Sequence, residues 1–283
     1  MNEPTEITES LMSQFQFTRV EDGKKQRIRT LKDAIGMPDE RETWLFVSPH
    51  DDDLVIGAGL WMQAAVAAGV DVQVLVVTDG RMGYCTLDQR DSISDIRRRE
   101  THESFKIIGV GEAQIAWCGY PDGGLYTLQG RRKHRPNDEV QPIEGYVGLS
   151  NAFVHHLRRV RPARVFVPTI ADLHPDHQIV NNELMICLFH ASGAIWPELG
   201  EPLADVPKVY DLAIYCDFPQ PPQLELRCDE ATFEKKLAGI LAYKSQLQIA
   251  KLVEIVRSAG AFEYLRELNF RFYSPANHRS AFA

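Results

Sequence analysis

The chain has 283 residues, of which 44% are hydrophobic and 25% are charged, a composition typical of a globular protein and not of a disordered or fibrous one. Its 31 lysines and arginines are outnumbered by 39 aspartates and glutamates, which gives a formal net charge of -8. This acidity argues against a protein dedicated to nucleic acid or to an anionic membrane, because both partners require a basic face.

The cysteines, the amino-terminal residues and the apolar stretches indicate the cellular compartment in which the protein is expected. The five cysteines are odd in number and include no Cys-x-x-Cys pair, so we expect a reducing, cytoplasmic location. The acidic first ten residues, MNEPTEITES, do not resemble a secretory signal. The apolar stretch from Leu54 to Val70 falls short of the ~20 residues that a membrane-spanning helix needs, and it is predicted to be a buried helix.

The first predicted elements lie in the amino-terminal quarter of the chain. Residues 1–40 are polar and charge-rich and are predicted to form a peripheral arm, whose best periodic piece is 11–20. Short apolar runs at 44–47 and 70–78 flank an apolar helical segment. Strand, helix and strand within about 35 residues predict a right-handed βαβ unit in a parallel sheet.

The alternation of helices and strands continues along the chain. Further helices are predicted at 93–108, at 149–159 and from about 178, and further strands at 114–118, 164–168 and 209–215. Residues 41–228 are therefore predicted to form a Rossmann-like α/β domain, a three-layer sandwich with a mostly parallel sheet. Ligands of such sheets bind beyond the carboxyl ends of the strands, so those loops are where a site is expected.

Two segments outside this alternation carry their own expectations. Residues 127–147 are predicted to be the longest loop, and their basic run at 131–135 is expected to be solvated, since the chain as a whole is acidic. Residues 229–283 are predicted to form a helical extension packed on the same domain, with Asp229 as an N-cap. Its apolar face is expected to pack or to oligomerise, and comprises Phe233, Leu237, Ile240, Leu241 and Leu247.

Two segments rich in histidine and aspartate each follow a predicted strand, SPHDDDL at 48–54 and DLHPDH at 172–177. Either one by itself also fits a helix cap or a solvated loop. Because the strands are parallel, both loops are expected at the same edge of the sheet. A catalytic zinc ion keeps three nitrogen or oxygen ligands and one open position. His50, one aspartate of the first loop and one histidine of the second would supply such a set.

These two segments resemble the motifs Pro-His-Pro-Asp-Asp-Glu and His-Pro-Asp-His of the LmbE-like, or PIG-L-like, zinc-dependent N-deacetylases. Further matches are Thr78-Asp79-Gly80, Arg97-x-x-Glu100, Ile108-Gly109-Val110 and Tyr120-Pro121-Asp122-Gly123, with a weaker echo at Tyr243-Lys244-Ser245-Gln246. The resemblance runs from about Trp44 to Val180. It implies zinc-dependent removal of acetyl from an N-acetylglucosamine-type amino sugar or conjugate, with a finer likeness to enzymes that act on diacetylchitobiose.

The resemblance implies a metal site and a base in the two loops. His50, Asp53 and His177 would hold the zinc ion, and Asp52 would be the general base that deprotonates the water. Zinc lowers the pKa of its water to about 7 and polarises an amide carbonyl, so this chemistry agrees with the residue types.

Four further residues receive roles from the same resemblance. His174 would stabilise the oxyanion or protonate the leaving amine, and Asp176 would orient the ring of His174 or tune its charge. Arg97 matches a substrate-contacting position, although an arginine three residues before a glutamate also fits a helix-surface pair. Asp122 is a further candidate for substrate binding, although it also fits a turn before two glycines.

The chain departs from the family pattern inside the first motif. Asp51 stands where the family has proline, and Leu54 stands where it has glutamate. Asp51 makes it ambiguous which two of the three acids act, and the spacing to the glycines that follow favours Asp52 and Asp53.

Several other functions compete with this interpretation. The same metal chemistry serves an amidase acting on another N-acyl group or a thiol conjugate, or an esterase, and a zinc-binding protein without turnover would keep the same ligands. The lone Gly57-Ala58-Gly59 is only weak support for a nicotinamide oxidoreductase. A small amino-sugar substrate, no nucleic acid and no membrane span are expected. The resemblance also implies a homo-oligomer, a trimer or a hexamer.

Overall fold

The computed structural model describes residues 14–270 and 273–282. Within these residues the strands are, in chain order, β1 (Phe15–Glu21), β2 (Lys24–Ile28), β3 (Thr43–Ser48), β4 (Asp71–Thr78), β5 (Ile115–Tyr120), β6 (Arg132–Lys133), β7 (Tyr146–Val147), β8 (Arg164–Pro168), β9 (Lys208–Leu212), β10 (Leu224–Cys228) and β11 (Phe262–Leu268). The α-helices are α1 (Leu31–Ile35), α2 (Asp53–Ala67), α3 (Ile93–Ile107), α4 (Leu149–Val160), α5 (Pro175–Ser192), α6 (Glu230–Leu241) and α7 (Ile249–Ala259).

One large sheet organises the molecule. Its strand order is β2-β1-β10-β11-β9-β8-β3-β4-β5, and β6 pairs with β7 in a separate hairpin. The five strands from β9 to β5 run parallel, with β3 between β8 and β4. The other four continue the sheet beyond β9 by antiparallel pairing. The predicted α/β class with a parallel sheet is confirmed, and the antiparallel extension is an addition to it.

Both faces of the parallel half are buried, which produces the three layers. Trp44 and Phe46 of β3 belong to one hydrophobic core, which α2 and α6 complete. Leu45 and Val47 of the same strand belong to a second core, which α4 and α5 complete. Successive side chains of a strand point to opposite faces, so a continuous apolar run is what a strand covered on both sides requires.

Helix α2 is buried on almost all sides, as the sequence predicts. In the described part of the chain, no helix is both long enough and apolar enough to cross a membrane. Gly57 lies where α2 meets the loop after β9, since a Cβ atom there would lie 2.8 Å from the side chain of Ile214 and 3.0 Å from the carbonyl oxygen of Ala213. A glycine at this position lets that loop approach the helix that carries the first motif.

Most predicted boundaries in the parallel half are close to the observed ones. Strand β8 agrees at both ends, and helix α5 begins at Pro175, a few residues before the predicted start. The prediction of a strand up to residue 215 is wrong at its end, because β9 stops at Leu212 and Tyr215 lies in the loop beyond it. That loop faces the ends of β3 and β8, where the two motifs lie.

The two ends of the chain contain strands that the sequence analysis does not predict. In the segment predicted as an arm, residues 15–28 form β1 and β2 at one edge of the sheet. The predicted periodic piece at 11–20 lies partly outside the described residues. The all-helical prediction for 229–283 is wrong because β11 lies between β10 and β9. The boundaries at residues 40 and 228 stay predictions.

The apolar face of the carboxyl-terminal helices is partly as predicted. Asp229 is the N-cap of α6, since its carboxylate accepts a hydrogen bond from the Thr232 N–H at 2.8 Å. Three of the five predicted face residues, Phe233, Leu237 and Ile240, are buried. Leu241 and Leu247 are 43% and 73% exposed, and Leu247 lies beyond the end of α6, where helical periodicity no longer applies.

The loop at 127–147 is organised by its own arginines. Arg132 donates two hydrogen bonds to Asp138, at 2.8 and 2.6 Å. The guanidinium of Arg131 stacks on the ring of Tyr146, 3.6 Å from its centroid, and pairs with Glu198. Two charges of the predicted solvated basic run are therefore bound within the chain.

Candidate metal centre and catalytic site

Three polar atoms from the two motifs converge at the carboxyl ends of β3 and β8. His50 Nδ1 lies 3.2 Å from Asp53 Oδ2 and 3.2 Å from His177 Nε2, and the latter two atoms are 3.0 Å apart. His50 comes from the loop after β3, Asp53 begins α2, and His177 lies in the first turn of α5. The three side chains predicted as zinc ligands are thus brought together.

The arrangement of these atoms fits a metal ion. Ligands at about 2.0 Å from one tetrahedral zinc ion are about 3.3 Å apart, close to the observed separations. Carboxylate oxygens and imidazole nitrogens aimed at one point repel each other unless a cation lies between them. Asp53 Oδ1 is also buried without a hydrogen-bond partner among the described residues, and a carboxylate oxygen in that state is available to a metal. His174 lies close enough to His50 and His177 to be a further possible ligand.

Charges around the three atoms reinforce this conclusion. Burial opposes a proton on His50, yet three surrounding carboxylates raise its pKa well above the ordinary value. Burial also opposes ionisation of Asp53, but His177 and His50 hold the pKa of its carboxyl well below the usual range. The centre is therefore arranged to hold positive charge, either protons or a metal ion.

Each candidate histidine ligand has a carboxylate at its other ring nitrogen. His177 Nδ1 lies 3.1 Å from Asp172 Oδ2, and His50 Nε2 lies 3.1 Å from Asp122 Oδ1. Such carboxylates set which nitrogen carries the proton and hold the ring in place. Asp122, a predicted substrate contact, thus lies against His50, and it also accepts a hydrogen bond from the Met82 N–H at 3.2 Å. As a substrate contact it stays a prediction.

Asp172 is a site residue that sequence reasoning missed, although it lies within the second motif. Its carboxylate also accepts hydrogen bonds from the backbone N–H groups of His174, at 3.0 Å, and Tyr215, at 3.3 Å. Asp172 itself is fully buried. The signal available in the sequence was its position two residues before a histidine and five before another, at the end of a strand.

Asp52 lies next to Asp53 and is the least enclosed of the three consecutive acids, with 15% of its side chain exposed. Burial raises the pKa of the Asp52 carboxyl to about 6 against the opposing charge of Arg97. A carboxylate with a pKa near neutrality is suited to accept and return a proton. Asp51 and Asp53 are buried, so Asp52 is the accessible carboxylate of the three.

His174 and Asp176 lie at the start of α5 beside the three converging atoms. The centroid of the His174 ring is 4.5 Å from that of His50, and its Nδ1 accepts a hydrogen bond from the Asp176 N–H at 3.2 Å. The Asp176 carboxylate instead accepts from the Gly123 N–H at 2.8 Å and lies 3.5 Å from His50 Nε2. Asp176 thus contacts the His174 ring through its backbone N–H, and its negative charge partly offsets the lowering of the His174 pKa by burial.

Tyr215 is a second residue that the sequence analysis missed, because it was assigned to a strand. Its ring stacks on that of His177, with centroids 5.3 Å apart, and the residue is 56% exposed. An exposed aromatic ring beside the converging atoms offers a surface for the apolar face of a substrate.

Residues 243–246, the weaker match to the family motifs, form hydrogen bonds with residues close to the candidate site. The Tyr243 hydroxyl donates to the carbonyl oxygen of Asp51 at 2.6 Å, and Gln246 Nε2 donates to the Gly83 carbonyl at 2.7 Å. Ser245 donates two hydrogen bonds to Glu100, both at 2.7 Å. Glu100 is thereby held by Ser245, so the alternative of a helix-surface pair with Arg97 is not what the structure contains.

Comparison with known proteins identifies a family whose profile matches this chain. The family profile described as PIG-L, GlcNAc-PI de-N-acetylase, matches residues 45–188. This range contains both motifs and all eight predicted site residues.

Two curated relatives indicate which proteins the chain is similar to. It is 32% identical over 178 residues to "1D-myo-inositol 2-acetamido-2-deoxy-alpha-D-glucopyranoside deacetylase 2" of Saccharopolyspora erythraea, covering 59% of this chain and 63% of that protein. It is 29% identical over 156 residues to "Mycothiol S-conjugate amidase" of Streptomyces coelicolor, covering 50% and 49%. The chain thus spans less than two thirds of the length of these relatives.

A solved structure supports the fold. The chain superposes on N,N'-diacetylchitobiose deacetylase from Pyrococcus horikoshii with a TM-score of 0.64 and 22% identity, covering 84% of this chain and 90% of the other. The shared architecture agrees with the three layers described above.

Proposed function

The chain belongs to the PIG-L family, and from this premise we propose that it is a zinc-dependent hydrolase that removes the acetyl group from an N-acetylglucosamine-type amino sugar or its conjugate. Acetate and a free amine are the products. The similarity to an enzyme named as a deacetylase of a 2-acetamido-2-deoxy-glucopyranoside supports this substrate class.

The observation that supports the proposal most is the convergence of the three candidate ligand atoms, with the candidate base Asp52 next to one of them in the chain. His50, Asp53 and His177 supply atoms 3.0 to 3.2 Å apart, and Asp52 adjoins them with its pKa raised to about 6. Zinc held there supplies a Lewis acid that polarises the amide carbonyl and lowers the pKa of water.

The side chains of this site then move the protons. Asp52 accepts a proton from the attacking water and returns it to the amine nitrogen as the carbon–nitrogen bond breaks, which balances the reaction. His174 accepts a hydrogen bond at Nδ1, so its neutral ring carries the proton on Nε2. Burial lowers the pKa of His174, and a neutral ring at neutral pH suits a hydrogen-bond donor to the oxyanion. Asp176 contributes the N–H that sets this tautomer.

The proposal extends to location and assembly. All five cysteines are free, which suits a reducing cytoplasm. Exposed apolar side chains on the carboxyl-terminal helices, such as Leu241 and Ile255, suit a homo-oligomer of three or six chains. Sedimentation of the purified protein reports the assembly.

The decisive experiment pairs metal analysis with acetate release from N-acetylglucosamine and diacetylchitobiose. We expect about one zinc ion per chain, acetate release that stops after chelation, and recovery when zinc is returned. Zinc binding without acetate from either sugar would contradict the substrate class and keep the site. A protein that neither binds zinc nor turns over would contradict the ligand assignment.

A second candidate is cleavage of a larger N-acyl amide, such as a thiol conjugate. The similarity to a protein named as a mycothiol S-conjugate amidase favours it, since the match covers half of this chain. The acid released distinguishes the two, because this candidate predicts an acid other than acetate.

A further inference from the structure

Asp51, the residue that departs from the family motif, is enclosed by hydrogen bonds. Arg97 Nε donates to Asp51 Oδ2 at 2.7 Å, and Arg97 Nη2 donates to Asp51 Oδ1. Thr101 Oγ1 donates to Asp51 Oδ2 at 3.2 Å. Only 1% of Asp51 is exposed, so its carboxylate does not reach a substrate.

Arg97 is enclosed in the same way. It is 5% exposed, and its Nη2 also lies 3.0 Å from Asp52 Oδ2, so one guanidinium bridges two consecutive carboxylates. Its outer nitrogen, Nη1, faces the loop between β4 and α3, since a Cβ atom at Gly83 would lie 3.3 Å from it. The ring of Tyr243 lies 5.2 Å from the guanidinium carbon.

This geometry opposes a direct role of Arg97 in binding substrate. A bidentate arginine–carboxylate pair is planar and directional, and a lysine does not reproduce it. If Arg97 turned towards a sugar, Asp51 would remain as an unpaired buried charge, which is strongly unfavourable. The family pattern has an uncharged proline at position 51, so this restraint comes from a residue that departs from that pattern.

We propose that Asp51 holds Arg97 as a positioning residue for Asp52, and that Arg97 therefore does not contact the substrate in this chain. Arg97 fixes one oxygen of the Asp52 carboxylate, which leaves the other to accept a proton. The inference rests on the proposed hydrolysis with Asp52 as base. It assigns the sugar contacts to residues other than Arg97.

The test separates kcat from KM in zinc-loaded protein. Arg97→Ala is expected to lower kcat about 10- to 100-fold through misplacement of the base, with KM for diacetylchitobiose within twofold of the unaltered chain. Added guanidinium ion is expected to restore part of kcat, since it can occupy the vacated position.

Asp51→Ala is expected to lower kcat as well, and the double variant is expected to be no worse than Arg97→Ala, because both changes disrupt one unit. Arg98→Ala, an exposed arginine on the same turn that stacks on Trp117, is the matched control and is expected to change neither constant.

Three results would overturn the inference. A tenfold or larger rise in KM with unchanged kcat in Arg97→Ala would make Arg97 a substrate contact. A fall in zinc content or melting temperature with kcat per zinc ion unchanged would make the pair structural only. Absence of turnover by the unaltered chain on every N-acyl sugar would instead contradict the proposed function, and the inference with it.

Discussion

The Nδ1 atom of His177 lies 3.1 Å from Oδ2 of Asp172, while its Nε2 atom lies 3.0 Å from Asp53. The ring is thus held between two buried carboxylates, one on each side. The inner carboxylate is a candidate ligand, and the negative charge of the outer one favours a proton on Nδ1, which leaves Nε2 free to bind a metal ion.

Removal of the Asp172 carboxylate is expected to weaken zinc binding. Asp172→Asn and Asp172→Ala should lose about 10- to 100-fold in zinc affinity, because partners behind a metal ligand orient it and raise its basicity. Competition with a chromophoric chelator at constant pH measures the affinity. Asp205→Asn, a change at an exposed aspartate, is the control. Equal affinities of Asp172→Asn and the control would show that His177 needs no such partner.

The proposed base, Asp52, is expected to determine how turnover depends on pH. Its carboxyl must be ionised to accept a proton, and burial raises its pKa to about 6. A zinc ion bound beside this carboxyl favours its ionised form, so in the zinc-saturated protein we expect kcat to be constant around pH 7 and to fall with decreasing pH below a midpoint that is lower than 6.

Asp52→Asn should lower kcat by about 10²- to 10⁴-fold and retain zinc, since it removes the base and not a ligand. Asp53→Asn should lose zinc. Turnover of Asp52→Asn at the rate of the unaltered chain would exclude Asp52 as the base.

His156 on α4 couples stability to pH away from the site. The pKa of its buried ring is lowered to about 4 by burial and by the charges of His155 and Arg159. Between pH 6.5 and 4 the unfolded chain binds a proton that the folded chain does not, so stability falls as pH decreases through this window.

His156 is expected to contribute a loss of about 2 kcal/mol at pH 5 relative to pH 7. Urea unfolding at the two pH values measures it, and His156→Gln should reduce the difference, whereas His278→Gln, at an exposed position, should not. The same pH dependence in His156→Gln as in the unaltered chain would contradict the assignment to His156.

Arg158 on α4 is the hydrogen-bond donor to carbonyl groups at the end of α5 and in the segment that follows it. It is 4% exposed and donates hydrogen bonds to the carbonyl oxygens of His190, Ala191, Gly193, Ile195, Trp196 and Gly200. Arg158→Ala should lower the free energy of unfolding by about 3 kcal/mol or more, because the carbonyl of the buried Ala191 and five further carbonyl groups in partly buried contacts lose their donor.

Arg159→Ala is the matched control, since Arg159 is exposed, and its effect should stay within about 0.5 kcal/mol. Chemical denaturation of both variants measures their free energies of unfolding. Similar stabilities would mean that water replaces the guanidinium without cost.

Much of the parallel half of the fold was predictable because its signals are local. A strand buried on both faces needs an unbroken apolar run, and β3, β4 and β8 have one. The order of strands and helices then places the loops after β3 and β8 at one edge, which predicted that the two motifs would meet. The resemblance to the family selected His50, Asp53 and His177 within them. The role of Tyr215 was not predictable in this way. The apolar residues before Tyr215 make the sequence resemble a strand up to residue 215, whereas β9 stops at Leu212.

The sequence by itself determined the α/β class and the two motif loops, since periodicity and residue type act over a few neighbouring positions, and its resemblance to the family named the candidate ligands. Only the tertiary structure decided that β11 enters the sheet between β10 and β9, that Arg97 pairs with Asp51, and that Asp172 lies behind His177. Strand pairing and buried ion pairs join residues far apart in the chain. Which of several carboxylates a guanidinium or an imidazole meets depends on packing and desolvation, and no local pattern specifies it.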